Sequence, residues 1–346
     1  MTFDPDAAAK PGSGIFGLPT RNDKARVVLV PVPFDATTSY RAGTSRGPRA
    51  ILEASRQVEL FAPEIGRPYQ AGIVLMPEDR RVRAWNRAAR KLAEKVIAAG
   101  GAENGSLAIR KAADAVNRIS ESLNRWVFAK TDRLLRAGRI PGILGGDHAV
   151  PYGAIAACAE RFPGLGILHF DAHADLRRAY EGFTFSHASI MFNAFARLAG
   201  VARIVQLGIR DFGQEEYRLI QNSRGQIRTF FDSDLQRALQ AQGGWGRLLR
   251  RVAESLPRRV YVSFDIDGLD PALCPHTGTP VPGGLSFFQA CQVLRAVVES
   301  GRTIMGFDLC EVAPAPSGGD EWDGNVGARV LYQLIGWTLR SQDRQR

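Results

Sequence analysis

The chain has 346 residues, a formal charge of +10, and a soluble-protein balance of 45% hydrophobic to 23% charged residues, enough to bury a large core. No run of 18 apolar residues occurs, residues 1–20 lack a basic segment followed by an apolar one, and four dispersed cysteines form no Cys-x-x-Cys pair; the expectation is a cytoplasmic protein with no membrane span, secretory signal, thiolate zinc site or disulfide framework. The basic residues are spread in small clusters such as Arg80-Arg81-Val82-Arg83 and Arg250-Arg251, without interleaved aromatics, which reads as a solvated basic surface and not as a nucleic-acid partner site.

Residues 1–24 are rich in Pro, Gly and Asp and read as an extended or poorly ordered N-terminal arm. The apolar run 26–32 suits a strand buried on both faces; a polar loop follows at 34–43, and Pro48 sits near the first turn of a helix opening at 47. Between 79 and 138, apolar residues three or four apart (Leu92, Val96, Ile97, then Ala112, Val116, Ile119, Leu123) predict a helical insertion. The Gly-rich stretch 99–105 divides it into two helices, whose apolar faces are expected to pack on the sheet or on a neighbouring subunit.

From there strands and helices alternate. A strand at 143–144 ends in Gly145-Gly146-Asp147-His148, and 166–170 ends in Asp171-Ala172-His173-Ala174-Asp175. The strand at 203–208 ends in Ile209-Arg210-Asp211, 260–264 in Asp265-Ile266-Asp267, and 303–307 in Asp308-Leu309-Cys310-Glu311, with helical stretches at 152–160, 287–299 and 326–339. Such alternation predicts an α/β fold with a mainly parallel sheet, right-handed crossovers and helices on both faces, as a single domain over 25–346. Every candidate ligand falls at the carboxyl end of a strand, where sheets of this kind bind ligands.

Asp171, His173 and Asp175 are two residues apart, so in an extended segment their side chains leave one face and converge. A lone Asp or His at a strand end reads as a surface residue; three ligand types in period two do not. Asp265 and Asp267 repeat the spacing, and His148 is one of only five histidines. His148, Asp171, His173, Asp175, Asp265 and Asp267 thus offer two imidazoles and four carboxylates with no thiolate. The set is too charged for one structural zinc and suits two divalent ions of the manganese type. Two such ions lower the pKa of water and present a nucleophile at neutral pH, which implies hydrolysis. No phosphate-binding glycine loop accompanies them, and the further acids Asp308, Glu311 and Asp211 favour a cationic substrate.

The three runs Gly145-Gly146-Asp147-His148, Phe170-Asp171-Ala172-His173-Ala174-Asp175 and Ser263-Phe264-Asp265-Ile266-Asp267-Gly268-Leu269-Asp270-Pro271 resemble the signatures of the ureohydrolase family of arginases and agmatinases. The likeness extends over most of the chain, through Thr277-Gly278-Thr279-Pro280 and Glu311-Val312-Ala313-Pro314. The resemblance implies a three-layer arginase-like fold and a dinuclear manganese centre, with nickel or another divalent ion as alternatives, that splits a guanidino group into urea and an amine. It implies one ion on His148, Asp171, Asp175 and Asp265 and the other on Asp171, His173, Asp265 and Asp267. It also implies that Asp175 carries the proton, that Glu311 grips the guanidinium with Asp308 on the same strand end, and that His187, titrating near neutrality, shuttles protons or touches substrate. Homo-oligomers, trimers or hexamers, are the family's habit.

Departures from the family pattern bear on the substrate. The positions that hold the α-amino and α-carboxylate groups in arginases appear here as Arg177, Phe183 and Gly213, the last an Asp in arginases, which argues against arginine. Ser186-His187-Ala188-Ser189-Ile190-Met191 also departs from the agmatinase pattern. Agmatine leads; guanidinobutyrate, guanidinopropionate, free guanidine and formiminoglutamate are alternatives. A catalytically silent partner or metal-delivery paralogue is the reading from another class.

Overall fold

The computed structural model describes residues 3–316 and 320–343. Among the described residues, eight strands form one sheet in which every neighbouring pair is parallel. In chain order they are β1 (Val27–Val32), β2 (Ile73–Leu75), β3 (Ile140–Gly145), β4 (Leu165–Phe170), β5 (Val201–Ile209), β6 (Ile227–Phe231), β7 (Arg259–Asp265) and β8 (Thr303–Cys310). Their order across the sheet is β2-β1-β3-β8-β7-β4-β5-β6, so the last strand of the chain fills the middle. The helices are α1 (Gly47–Ser55), α2 (Arg80–Ala98), α3 (Leu107–Arg136), α4 (Tyr152–Arg161), α5 (Ile190–Arg197), α6 (Gln214–Asn222), α7 (Asp232–Gln240), α8 (Gly244–Ser255), α9 (Phe287–Glu299) and α10 (Trp322–Asp343).

Alternation along each strand divides the core. On β4, Leu168 and Phe170 join an apolar cluster with α8, α9 and α10, while Leu165 and Ile167 join a second one with α2, α3 and α4. The expected three layers result, with both sheet faces covered. The predicted insertion is α2 and α3, separated near the expected break, with Asp79 and Ser106 capping their first turns. No chemical role was legible in its residues, yet α2 reaches the 34–43 loop: Asn86 and Asp35 exchange two hydrogen bonds of 2.8 and 2.9 Å, and Arg90 Nη1 donates to the Thr38 carbonyl at 2.7 Å.

The expectation of an extended or poorly ordered arm over 1–24 does not hold at its centre. Ile15, Phe16 and Leu18 are buried; Phe16 meets Tyr332 edge-on at 4.9 Å and its N–H donates to Ser55 Oγ. Three apolar side chains amid Pro and Gly suffice to dock the segment on α1 and α10. The short edge strands β2 and β6 were also missed; an edge pairs on one side and needs less apolar pattern to form. Among the described residues, no helix is long and apolar enough to cross a membrane.

Candidate active site

Four adjacent strands, β3, β8, β7 and β4, bring their carboxyl ends together at the middle of the sheet. β3 leaves through Gly145 and Gly146, and the turn is so close that a Cβ on Gly146 would stand 1.7 Å from the Phe34 carbonyl oxygen. Glycine therefore lets the 34–38 segment lie on that turn. There Thr37 Oγ1 donates to Asp147 Oδ2 at 2.8 Å and accepts from the His187 N–H at 3.3 Å. The loop, the β3 turn and His187 are one hydrogen-bonded unit.

Asp175 and Glu311 adopt left-handed backbone, with φ of 53° and 62°. Such a conformation costs a non-glycine residue about 1–3 kcal/mol and persists only where its surroundings enforce it. The Asp175 carbonyl accepts from Met191 and Phe192 at the start of α5, both at 3.1 Å. Glu311 N–H donates to the Gly146 carbonyl, and Thr277 Oγ1 to the Glu311 carbonyl, each at 2.9 Å.

The structure brings all six expected ligands into one place as two overlapping groups. His148 Nδ1 lies 3.0 Å from Asp171 Oδ2, 3.2 Å from Asp175 Oδ2 and 3.5 Å from Asp265 Oδ2. His173 Nδ1 lies 3.4 Å from Asp171 Oδ1 and 3.1 Å from Asp267 Oδ2. Asp171 belongs to both groups, one oxygen to each. Glu311 turns Oε1 to the His148 N–H at 2.9 Å, while its Oε2 is buried without a hydrogen-bond partner beside Gly278 and Thr38.

Asp308 differs from expectation. Its register places it opposite Ser263 and Ile143, one level deeper in the sheet than Asp265. It is fully enclosed, accepts from the Phe264 N–H, approaches His148 Nε2 at 3.8 Å, and does not line the cleft. Asp308 therefore lies beneath His148 rather than in the cleft lining.

At the same level lies a buried polar row that the sequence reading missed. Gln206, His169, Ser263 and Asp308 stand opposite one another on β5, β4, β7 and β8. Thr229 donates to Gln206, whose amide nitrogen lies 3.0 Å from His169 Nδ1; His169 Nε2 is 2.8 Å from Asp171 Oδ2, and Ser263 Oγ is 2.9 Å from His148 Nε2. Partners of this kind orient ligands and set their basicity. The signal was available: His169 precedes Asp171 by two residues, in the same period as His173 and Asp175.

The electrostatics show what the donor set lacks. Burial, then Asp171, pushes the Asp175 carboxyl up to about 8, although His148 opposes. Burial, then Asp267, Asp171 and Glu311, raises Asp265 well above the carboxylate range, and burial with Asp147 does the same to Glu311. Burial works against the His148 and His173 imidazolium forms, but neighbouring carboxylates override it, raising His148 well up and His173 to about 12. Among the described residues, only histidines form ion pairs with the four ligand carboxylates. Carboxylates crowded in low dielectric with no Lys or Arg partner require cations or protons. Two divalent ions fit this oxygen-rich set: His148, His169, Asp171 and Asp175 form one group able to hold a cation and Asp171, His173 and Asp267 another, with Asp171 common to both and Asp265 3.5 Å from His148 Nδ1.

Above this floor is a small cleft, about 190 Å³, lined by His173, Asp175, Arg177, Tyr180, His187, Asp211, Phe212, Glu216 and loop residues Ser39, Ala188 and Thr279. Two larger hollows, about 670 and 740 Å³, lie along the N-terminal segment and contain none of the ligands. His187 faces the cleft, edge-on to Tyr180 at 5.8 Å, with a buried, unpartnered Nδ1. It does not titrate near neutrality as its composition suggested: burial, then His173, pushes it down to about 4, so it is a neutral imidazole.

Comparison with known proteins accounts for this arrangement. Residues 25–336 match the model of the arginase family. An N(1)-aminopropylagmatine ureohydrolase of Thermus thermophilus is 35% identical over 91% of this chain and 90% of its own length. The guanidinobutyrase of Pseudomonas aeruginosa is 30% identical, over 92% of this chain and 88% of its own. In three dimensions, the crystal structure of a hypothetical agmatinase from Burkholderia thailandensis superposes with a TM-score of 0.71 at 25% identity, covering 99% of this chain and 94% of that one. The chain belongs to the arginase family.

Proposed function

We propose that this chain is a dinuclear-metal amidinohydrolase that cleaves a C–N bond of a linear guanidino compound, taking up water and giving urea and an amine. The observation that carries the reading is the pair of His/Asp groups sharing Asp171 at the base of a small cleft. His148, Asp171, Asp175 and Asp265 would hold one ion, and Asp171, His173, Asp265 and Asp267 the other. When bound, the ions supply Lewis acidity and a water acidified enough to react at neutral pH.

The remaining work falls to this chain's side chains. Glu311 would accept from the guanidinium N–H groups and aim its carbon at the floor; its buried, unpartnered Oε2 supports this role. Asp175, at the cleft wall, takes the proton released by water at Oδ2 and returns it to the departing amine nitrogen. His187, a neutral imidazole whose Nδ1 is unpartnered, exchanges a hydrogen bond with the substrate and closes the side of the cleft.

Manganese is the proposed metal, with nickel the first alternative; the protein is proposed to work in the cytoplasm as a homotrimer or hexamer. Named relatives act on substrates with cationic tails and with an acidic one, and agmatine is the first compound to assay. The test is urea release from a panel of guanidino compounds with manganese and nickel compared side by side, and light scattering for the assembly. Absence of urea from the whole panel, where a known family member releases it in parallel, would favour the silent-paralogue reading.

A further inference from the structure

The cleft is acidic at its base, and its rim carries one cation, Arg177, with Glu216 beside it. The rim charge is Arg177, two residues beyond the ligand Asp175, with a side chain 46% exposed. Its guanidinium carbon lies 5.1 Å over the centre of the Tyr180 ring, and Nε lies 3.7 Å from Glu216 Oε2. Glu216 is itself occupied: Oε1 accepts from the Leu176 N–H at 2.9 Å and Oε2 from the Gly213 N–H at 2.7 Å. Tyr180 and Glu216 therefore hold the guanidinium in place without using its N–H groups, which donate to no described residue.

Gly213 lies beside this group: a Cβ there would meet Glu216 Oε2 at 3.2 Å and stand in ordinary contact with Arg177, 3.7 Å from Nη2 and 4.0 Å from Cζ. The cleft's exposed acid, Asp211, forms no ion pair with Arg177; its backbone pairs alongside His173 and its N–H donates to the Ala172 carbonyl at 3.0 Å.

We infer that Arg177 determines specificity, selecting guanidino substrates whose far end is a carboxylate over those whose far end is an ammonium; this rests on the guanidino hydrolysis proposed above. The substrate's guanidinium goes to the acids, and a short aliphatic tail leads its other end to the rim. There a carboxylate meets a planar fork with free N–H donors, a geometry suited to two parallel hydrogen bonds, whereas an ammonium meets a fixed like charge.

Agmatine and 4-guanidinobutanoate are a matched pair, alike in length and opposite in tail charge. The metal-loaded protein is expected to show kcat/KM at least about tenfold higher for the acid. Arg177→Met should lower the acid's kcat/KM about 10- to 100-fold, through KM and not kcat, and raise that for agmatine; Arg177→Lys should recover part of the loss. A preference for agmatine that Arg177→Met leaves unmoved overturns the inference while leaving guanidino hydrolysis standing. If no guanidino compound yields urea, the underlying reading fails, and calorimetric titration with 4-aminobutanoate and 1,4-diaminobutane still decides the rim. The acid must bind more tightly and lose that advantage in Arg177→Met; equal binding overturns the assignment.

Discussion

The floor of the cleft and its rim are built differently, although a few residues separate them. At the floor, the ligands sit at strand ends and all but the half-buried His173 are buried, with His148 and Asp171 also hydrogen-bonded to Ser263 and His169 of the deeper row. At the rim, Arg177, Tyr180 and Phe212 sit on loops after β4 and β5, partly exposed, and Arg177 is held by one aromatic face and one distant carboxylate. Rigid register supports chemistry that demands sub-ångström placement; loops carry the discrimination of a tail that only needs a charge in reach.

The strongest test of that division is at Asp171, which serves both ligand groups. Asp171→Asn should lower metal affinity by more than about a hundredfold, beyond the range for a supporting residue, with urea release lost in parallel; metal content after dialysis measures it. His169→Asn, one layer deeper, should cost about 10- to 100-fold in metal affinity with the ligands intact, read by competition with a chelator. If it costs nothing, the deeper row does not support the floor. Asn86→Ala, which leaves Asp35 short of its partner on α2, should lower stability by about 1–2 kcal/mol in chemical denaturation and raise KM more than it lowers kcat. The smallest effect is expected at the rim from Gly213→Asp. Its backbone is in an ordinary extended conformation (φ −79°); a Cβ there needs Glu216 Oε2, 3.2 Å away, to give slightly, and the new carboxylate beside Arg177 should narrow the acid-to-amine ratio about fivefold.

The floor was legible in the sequence because its ligands follow the two-residue period of a strand and the glycines and acids mark strand ends. The parallel sheet was legible for the same reason. What escaped were features that depend on register between strands: the alignment of His169 with Ser263 and Asp308, and the depth of Asp308 beneath the cleft lining. The docking of Ile15 and Phe16 escaped because three apolar residues amid Pro and Gly show no period. The rim escaped because loop conformation decides it; Gly213 read as a lost carboxylate, and only the fold shows Glu216 and the Arg177 guanidinium beside it.

The position of β8 has a consequence for how the chain is assembled. Without it, the strands fall into two separate ribbons, β2-β1-β3 and β7-β4-β5-β6, with His148 on the first and Asp171, His173, Asp175, Asp265 and Asp267 on the second. Joining them waits for residues 303–310, so a ribosome-bound chain that has not yet released that segment has no complete site to load. Closure in the middle, by the strand made last, also means that contacts across long stretches of sequence form together, which makes for slow folding. Metal uptake is then a late event, and the free ribbon edges of the unfinished sheet are where a chaperone or a misfolding partner would find purchase.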